Sequence, residues 1–281
     1  MASAEQTNVA KWSERISVAK KRRDTASQEN NWETFIDEYK NKYNVSLGSI
    51  KAPIINEVYA YVQSSISNLY FRDPYITVNP KKKGTKKSAF LIEQLINYYW
   101  RELKIKEEME REIMETVLVG HSWHKTGITL ETWGEAENLK VVREDIYSKR
   151  VGWRDMVFNL GSMNPPYDCL WMAQRIIKPL DEVKRKYSGT GKLDGVPHPL
   201  MADEKSMKKI QFKDDVMFTV LWEVWDAQNR EVHLIAENHD KFLNERDWPE
   251  YLDKFPFDML WFNHMPDDPY PMSDIAPWND Q

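Results

Sequence analysis

The residues of this sequence that we consider as possible metal ligands are five of its six histidines and a group of aspartates near the C-terminus. His121 and His124 lie three residues apart, and His233, His239 and His264 follow them. The first two fall where a helical pattern gives way to a strand, so this spacing does not place them on one face. We therefore predict ordinary surface and core histidines and no stoichiometric zinc. Replacing both His121 and His124 by alanine is expected to affect folding no more than surface substitutions do.

Asp267, Asp268 and Asp274 could in principle form the two-metal centre of a nuclease. Three prolines, at positions 266, 269 and 271, are interspersed among them and indicate a rigid turn whose carboxylates cap backbone amides. The sequence has no Walker-type glycine loop, no Gly-x-Ser-x-Gly motif and no His-Glu-x-x-His motif. We predict no catalytic residue, no metal ligand and no cofactor, and hence a protein that is not an enzyme.

The single cysteine, Cys169, excludes an internal disulfide and any zinc site built from several cysteines. It stands between Tyr167 and the pair Leu170-Trp171, a setting typical of a buried thiol that packs as a small hydrophobe. No catalytic Cys/His signature accompanies it, which argues against a nucleophile.

Charge is unevenly distributed along the chain. Residues 226–281 contain thirteen acidic and four basic residues, a balance of −9, and the whole chain carries −5, so residues 1–225 carry +4. The one dense basic run precedes a long helical pattern and consists of Lys81, Lys82, Lys83, Lys86 and Lys87. These lysines could contact phosphate, although no arginine or aromatic residue lies among them, and a solvated loop is the alternative. We predict at most weak, sequence-independent and salt-sensitive binding of double-stranded DNA.

The composition is that of a globular protein, with 41% hydrophobic and 12% aromatic residues in 281. No run of eighteen apolar residues occurs, and the N-terminus is polar without an apolar signal core. The sequence therefore predicts neither membrane insertion nor secretion, and use in the cytosol.

The elements that position these residues are organised around positions 88–128. One apolar stripe is formed by Ile92, Ile96, Tyr99 and Leu103, and a second by Ile105, Met109, Ile113 and Val117. The stripe changes phase between residues 103 and 105, which allows two helices or one bent helix, and Gly120 ends the second run. We expect this long amphipathic element to pack against another large part of the fold.

Helices and short strands are predicted on both sides of this region. The region 9–43 favours two helices with a break within residues 20–31, and 53–69 and 179–187 favour one helix each. Alternation indicates a hairpin of strands 216–225 and 231–236. The other predicted strands are 75–78, 122–129, 139–146, 151–160, 169–177 and 256–262, and residues 188–206 form a predicted Gly/Pro-rich loop. This pattern gives an α+β fold with three consecutive parts: N-terminal helices (1–50), a helical core (51–130) and a β-rich part (131–281).

The order of segments resembles that of the portal, or head-to-tail connector, proteins of tailed double-stranded DNA phages, especially those with short tails. No single motif carries the resemblance, which rests on an ordered series across residues 50–281. The series is Asn56–Pro74 with Val78-Asn-Pro80, the long helix into Leu118-Val-Gly120, Trp171-Met-Ala-Gln-Arg175, Leu180–Tyr187, Trp222-Glu-Val-Trp-Asp226, Phe255-Pro-Phe257 and Pro266–Ile275. The chain departs from many relatives at Asn164-Pro165-Pro166, where an Asp-Pro pair is usual.

The resemblance covers the first part of such proteins only. It implies a wing-like fold in which long helices pack on small antiparallel sheets, with the stem, clip and crown of the family absent. The sequence is accordingly expected to be a fragment that ends at Gln281. On its own it is expected to stay monomeric or to aggregate, whereas a chain that continues into the stem helices would close into a ring.

The function that the resemblance implies is structural. Portal subunits form a dodecameric ring at one capsid vertex, through which DNA is packaged and ejected. The implied partners are further copies of the chain, a terminase motor, a tail adaptor, capsid proteins and non-specific double-stranded DNA, but no membrane. The protein would be assembled in the host cytoplasm and reside in the virion. The alternatives are a metal-dependent nucleic-acid-processing enzyme and a free-standing head-tail adaptor.

Overall fold

The computed structural model of the protein describes residues 4–41, 56–82, 84–133, 140–187, 193, 195 and 217–278. Contacts within the chain divide it into two units: unit 1 contains residues 1–25 and 154–255, and unit 2 contains residues 26–153 and 256–281. The predicted division into residues 1–50, 51–130 and 131–281 follows the order of the chain and stays a prediction. Each unit combines helices with one antiparallel sheet, which confirms the predicted α+β class. No helix in the described ranges is both long and apolar enough to cross a membrane.

Unit 1 is built on a five-stranded antiparallel sheet. Its order is β3-β4-β5-β6-β7. The strands are β3 (Met156–Phe158), β4 (Trp171–Pro179), β5 (Phe218–Asp226), β6 (Glu231–Ala236) and β7 (Phe242–Asp247). The predicted hairpin of β5 and β6 is confirmed. The predicted strand 151–160 is reduced to β3, because a 3₁₀ turn occupies residues 153–155. Strand β7 was not predicted, since only its first two residues are buried and it lacks alternation.

Helix α1 (Ala4–Glu29) covers one face of this sheet. The alternate residues Val220, Trp222 and Val224 of β5 all join its core, as the alternation predicted. The helix contributes Val9, Trp12, Ile16 and Ala19 to the same core. The helix continues through residues 20–23, where Arg23 is buried and donates a hydrogen bond to the carbonyl oxygen of Arg154, so the break predicted within residues 20–31 falls at the end of that range.

Helix α6 (Leu180–Lys186) covers part of the opposite face. Leu180 and Val183 pack against Leu221 and Ala236 of the sheet, and Leu193 completes this smaller core. Pro179 precedes the first turn, where its missing N–H costs no hydrogen bond. The predicted loop 188–206 lies outside the described residues, apart from Leu193 and Gly195.

Unit 2 begins with the C-terminal turn of α1 and the short helix α2 (Trp32–Tyr39). Asn31 adopts a left-handed conformation with φ 55° and separates the two, which confirms two N-terminal helices. Helix α3 (Glu57–Leu69) is capped by Asn56, whose side chain accepts from Tyr59 N at 2.8 Å and donates to the carbonyl oxygens of α2. Pro53, the predicted helix start, lies outside the described residues.

The long helical pattern folds as two helices, α4 (Lys86–Glu102) and α5 (Ile105–Val119), separated by a left-handed residue, Lys104. The stripe predicted on α5 is mainly buried, with Ile113 and Val117 in the core. The stripe predicted on α4 is not, since Ile92 is 47% exposed and Ile96 36% exposed.

The inner face of α4 binds an extended segment through polar side chains. Glu93 accepts hydrogen bonds from the Tyr75 hydroxyl at 2.9 Å and from Val78 N at 3.0 Å. Asn97 bonds both backbone groups of Ile76, at 3.0 and 2.8 Å. The predicted strand 75–78 is therefore wrong: its backbone hydrogen bonds go to helix side chains, which periodicity does not reveal.

The sheet of unit 2 has three antiparallel strands in the order β2-β1-β8. Strand β1 pairs with β2 from Trp123↔Val151 onward, and with β8 from His121↔Trp261. The strands are β1 (His121–Trp133), β2 (Lys140–Val151) and β8 (Phe257–Trp261), all close to predicted segments. Helix α5 packs against all three strands.

We expect Gly120→Ala to destabilise unit 2 strongly. Gly120 has a φ of 96°, and a Cβ there would stand 2.1 Å from the carbonyl oxygen of Pro271. We expect the free energy of unfolding to fall by at least about 3 kcal/mol in a denaturant titration. Gly161→Ala is the control, because Gly161 has a φ of 92° but open space around the added Cβ, so it costs about 1–2 kcal/mol of backbone strain. Equal losses in both variants would show that the contact with Pro271 does not matter.

Candidate functional site

The histidines that the structure describes do not form a metal centre within either unit. His233 is buried, with its ring nitrogens 3.3 Å from the carboxylates of Glu231 and Glu245. His264 packs against Trp261 with the two rings tilted and their centroids 4.9 Å apart. Among the described residues, no group of three histidine, cysteine or acidic side chains is arranged to hold a metal ion.

His121 lies in an aromatic cage. Its ring centroid is 5.0 Å from that of Trp32 and 5.5 Å from that of Tyr270, and Trp153 packs on Trp32 at 5.0 Å. The side chain is fully buried, and neither ring nitrogen has a hydrogen-bond partner of normal geometry. Burial lowers the pKa of His121 to about 3, against a smaller opposing contribution from the backbone of Val119. His121 is therefore a neutral core residue.

His124 is the centre of a buried polar network. Its Nδ1 bonds Glu112 Oε1, and its Nε2 bonds the Ser148 hydroxyl, which also lies 3.3 Å from the Thr126 hydroxyl. The order Ser-His-Glu is that of a hydrolytic triad. Glu112 and Ser148 are both buried, however, and catalysis would need an accessible nucleophile beside oxyanion donors. The geometry therefore favours a structural role, in which the network joins α5 to β1 and β2.

The premise that His121 and His124 are surface-like residues is wrong. His121 is enclosed, so its replacement by alanine would leave a void. His124 is the hydrogen-bond partner of the buried side chains of Glu112 and Ser148, so its replacement by alanine would leave Glu112 unpaired. Sequence reasoning missed Glu112 and Ser148. The available signal was the recurrence of Glu108, Glu112 and Thr116 every four residues beside the apolar stripe of α5.

A second polar cluster fastens the end of β2 to α5. The guanidinium of Arg150 lies 2.9 Å from Glu115, and the backbone N–H of Arg150 donates to Glu108 at 2.9 Å. Glu115 also accepts from the backbone N–H of Trp153 at 3.2 Å. These carboxylates are occupied by protein donors, which is typical of a scaffold.

The C-terminal aspartates lie in a turn and do not converge. Asp268 accepts from the backbone N–H of Tyr270 at 2.9 Å, which is the predicted amide capping. Asp274 instead bonds the side-chain amide of Asn263. Burial raises the pKa of Asp274, and the bond from Asn263 partly opposes this effect. The turn therefore orders the chain beside β8.

Cys169 is buried, as its neighbours predicted. Burial raises the pKa of its thiol to about 12, so the reactive thiolate is suppressed. The hydroxyl of Ser162 lies 3.3 Å from the sulfur and also donates to Asp168. Asp168 accepts the N–H groups of Met163 and Asn164, at 2.7 and 3.0 Å, and so fixes this loop.

The basic residues gather at the N-terminal end of α4. Lys81 and Lys82 lie in the preceding bend, and Lys86 and Lys87 form the first turn of the helix. All four are exposed, and none of them pairs with a carboxylate in the described part of the chain. Lys83 lies outside the described residues. The arrangement leaves four cationic groups directed to solvent within seven positions.

The outer side of α4 presents an apolar surface next to these lysines. We define the α4 surface by its large exposed side chains, of which Leu91 is 66% exposed. The others are Phe90 (60%), Ile92 (47%), Leu95 (52%), Ile96 (36%) and Tyr98 (52%). No other helix of the described residues exposes as many large apolar side chains.

Unit 1 has a groove of about 450 Å³ between α6 and the sheet. Four of its five charged side chains are paired: Arg246 lies 3.0 Å from Glu223, and Lys178 lies 3.5 Å from Glu182, while Lys186 lies over the ring of Tyr187. Such pairs leave little unused charge to select a ligand.

A comparison with family models identifies what this scaffold belongs to. The model of the phage P22-like portal protein family matches residues 49–254. The chain belongs to the phage P22-like portal protein family. A search among curated proteins gave no match.

Membership of the portal family defines the role of the chain in coarse terms. Portal proteins are structural components of the phage virion that act as head-to-tail connectors and assemble into oligomeric rings. The match confirms the resemblance seen in the sequence. It covers α3 to α6 and strands β1 to β7, and includes the basic end of α4.

The caged His121 predicts that stability falls at low pH. An unfolded histidine titrates near 6.5, whereas His121 stays neutral in the folded protein until about pH 3. Between these values the unfolded state binds more protons. The contribution of His121 is therefore complete above about pH 6.5 and falls by up to about 1.4 kcal/mol per pH unit below it.

His121→Phe keeps an aromatic ring but removes the titrating group. Denaturant titrations followed by tryptophan fluorescence should show that natural protein and variant diverge progressively from pH 6.5 to pH 4. His264→Phe is the matched control, because His264 is exposed and its replacement leaves the buried His121 in place. Parallel profiles for His121→Phe and the natural protein would contradict the prediction.

Proposed function

We propose that this chain is a subunit of the portal ring at one capsid vertex, through which the phage genome is packaged and ejected and to which the tail attaches. The observation that carries the proposal is the family match, which extends over residues 49–254 and thus over most described elements of both units. Ring members are held by protein contacts and need no chemistry of their own. The energy for packaging would come from a terminase motor.

The polar side chains of the scaffold support a structural role over an enzymatic one. Glu112, His124 and Ser148 bond one another in a buried network, and Asp268 and Asp274 hold a turn. An enzyme needs accessible groups that converge on a substrate. The proposed partners are therefore macromolecules: further copies of this chain, the terminase, capsid proteins and a tail adaptor. Assembly in the host cytoplasm would precede incorporation into the virion.

The charge distribution supports a portal that binds the DNA passing through it only weakly. Residues 226–281 carry a balance of −9, which repels phosphates, and the lysines at the start of α4 are the dense basic run. A portal must let DNA slide in both directions, so tight or sequence-selective contacts would oppose its function. We propose that Lys81, Lys82, Lys83, Lys86 and Lys87 make at most transient phosphate contacts.

Assembly tests the proposed function. The protein expressed from its complete gene should form closed rings with cyclic symmetry and a central opening, because head-to-tail contacts between identical subunits close into rings. Mass photometry should give one dominant species, a dodecamer, and electron microscopy of the same sample should show the opening. A strict monomer or a two-fold dimer over the accessible concentration range would overturn the proposal.

DNA binding gives an independent prediction. Binding to duplex DNA should be weak, insensitive to sequence and steeply reduced by salt, since each phosphate contact releases counterions. Replacing Lys81, Lys82, Lys86 and Lys87 by alanine should lower the slope of log affinity against log salt by at most about 4. The control carries alanine at four exposed lysines elsewhere, Lys11, Lys40, Lys106 and Lys241. A tight, sequence-selective complex at physiological salt would contradict the prediction.

A further inference from the structure

The α4 surface has the periodicity of a helix-packing face. Leu91, Leu95 and Tyr98 recur at spacings of four and three residues on one side of the helix, and Ile92 lies beside them. The opposite side of α4 is already used, because Glu93 and Asn97 bind the segment 75–78. A face with this spacing suits another protein element better than a small molecule.

The α4 surface is large for a surface that stays in water. Its six side chains together expose on the order of 600 Å², if a full large apolar side chain offers on the order of 200 Å². That is the upper end of the patch size found on monomers, which is about 300–600 Å². It also approaches the roughly 800 Å² that each partner contributes to a standard interface. Together with contacts at its rim, the α4 surface has enough area for a specific contact between two subunits.

Unit 2 carries a second exposed apolar surface of opposite charge. We define the β8 surface by Trp261, Met265 and Met272, which are 39%, 44% and 37% exposed. The exposed residue Asp267 follows Met265 by two positions and places a carboxylate beside it. The α4 surface is bordered by cations instead, with Lys87 one turn before Leu91 and Lys86 next to it. The two surfaces are therefore complementary in both apolar character and charge.

We propose that the α4 surface of one subunit packs on the β8 surface of the next subunit. The inference rests on the proposed ring. Two different surfaces that complement each other form a heterologous contact, and repetition of such a contact closes a ring when the rotation between neighbours divides a full turn, whereas a surface that pairs with itself stops at a dimer. The occupant is therefore a second copy of this chain. Self-pairing of the α4 surface is the competing arrangement, because Glu102 at its far end could meet Lys87 of an antiparallel copy.

Cysteine cross-linking distinguishes the two arrangements. One chain carries Leu95→Cys and a differently tagged chain carries Met265→Cys; the natural chain offers only the buried Cys169. A short bifunctional maleimide should yield covalent dimers that contain both tags when the chains are mixed and allowed to assemble. Leu160→Cys, equally exposed at 52% but on a different surface, replaces Leu95→Cys in the control and should give no mixed dimer.

Absence of the mixed dimer overturns the inference, and so does a dimer formed by the Leu95→Cys chain alone. Rings that form without this cross-link would leave the proposed portal function intact and place the subunit contact elsewhere. Failure of the natural protein to form rings would count against the portal function itself.

Charge and apolar variants test the same contact without a cross-linker. Leu91→Glu with Leu95→Glu should reduce the ring fraction at least tenfold while circular dichroism and the melting temperature stay unchanged, because both side chains are exposed. The control, Leu160→Glu with Tyr167→Glu, alters residues of similar exposure and should preserve the rings. Unchanged ring formation by the α4 variant would overturn the inference.

Discussion

Unit 2 depends on satisfying the buried C-terminal end of helix α5. The last carbonyl groups of a helix have no partner within it, and leaving one buried and unpaired costs about 1–3 kcal/mol. The carbonyl oxygen of Val117 accepts from the Ser273 hydroxyl at 2.9 Å and from the backbone N–H of Asp274 at 3.2 Å. The turn that follows β8 must therefore close on α5. Gly120 permits this approach because it has no side chain facing Pro271.

The same helix determines where the polar groups of the sheet point. Thr116 pairs with the Ser122 hydroxyl at 2.9 Å, Glu112 with His124, and Glu115 with Arg150. Each contact connects α5 to β1 or β2. Because these groups satisfy one another in the interior, they fix the register of helix on sheet and are not free for catalysis. A rigid body of this kind suits a structural subunit of an oligomeric ring.

Helices α4 and α5 show how similar patterns lead to different outcomes. Both are amphipathic, yet α5 buries Ile113 and Val117 whereas α4 leaves Leu91 largely exposed. The inner side of α4 is polar and is occupied by the extended segment 75–78, so its apolar side faces outward. In a portal protein, which assembles into a ring, an apolar helix face turned to solvent is the expected form of a surface that is buried on assembly.

The sequence by itself determined most of the helices and strands, though not β7, because periodicity of 3.6 or 2 records which side of an element is apolar. It gave the two N-terminal helices, the change of phase before Ile105, the β5–β6 hairpin, the burial of Cys169 and the portal family. The tertiary structure decided which part of the protein, or solvent, each side of a helix or strand faces. Periodicity could not show that Ile92 stays exposed, that segment 75–78 bonds helix side chains, or that α1 continues past Arg23 to the end of the range expected to hold the break. Periodicity also could not reveal the network of Glu112, His124 and Ser148, or the hydrogen bond from Ser273 to Val117. Such contacts form only when distant segments fold together, and they form because buried polar atoms need hydrogen-bond partners.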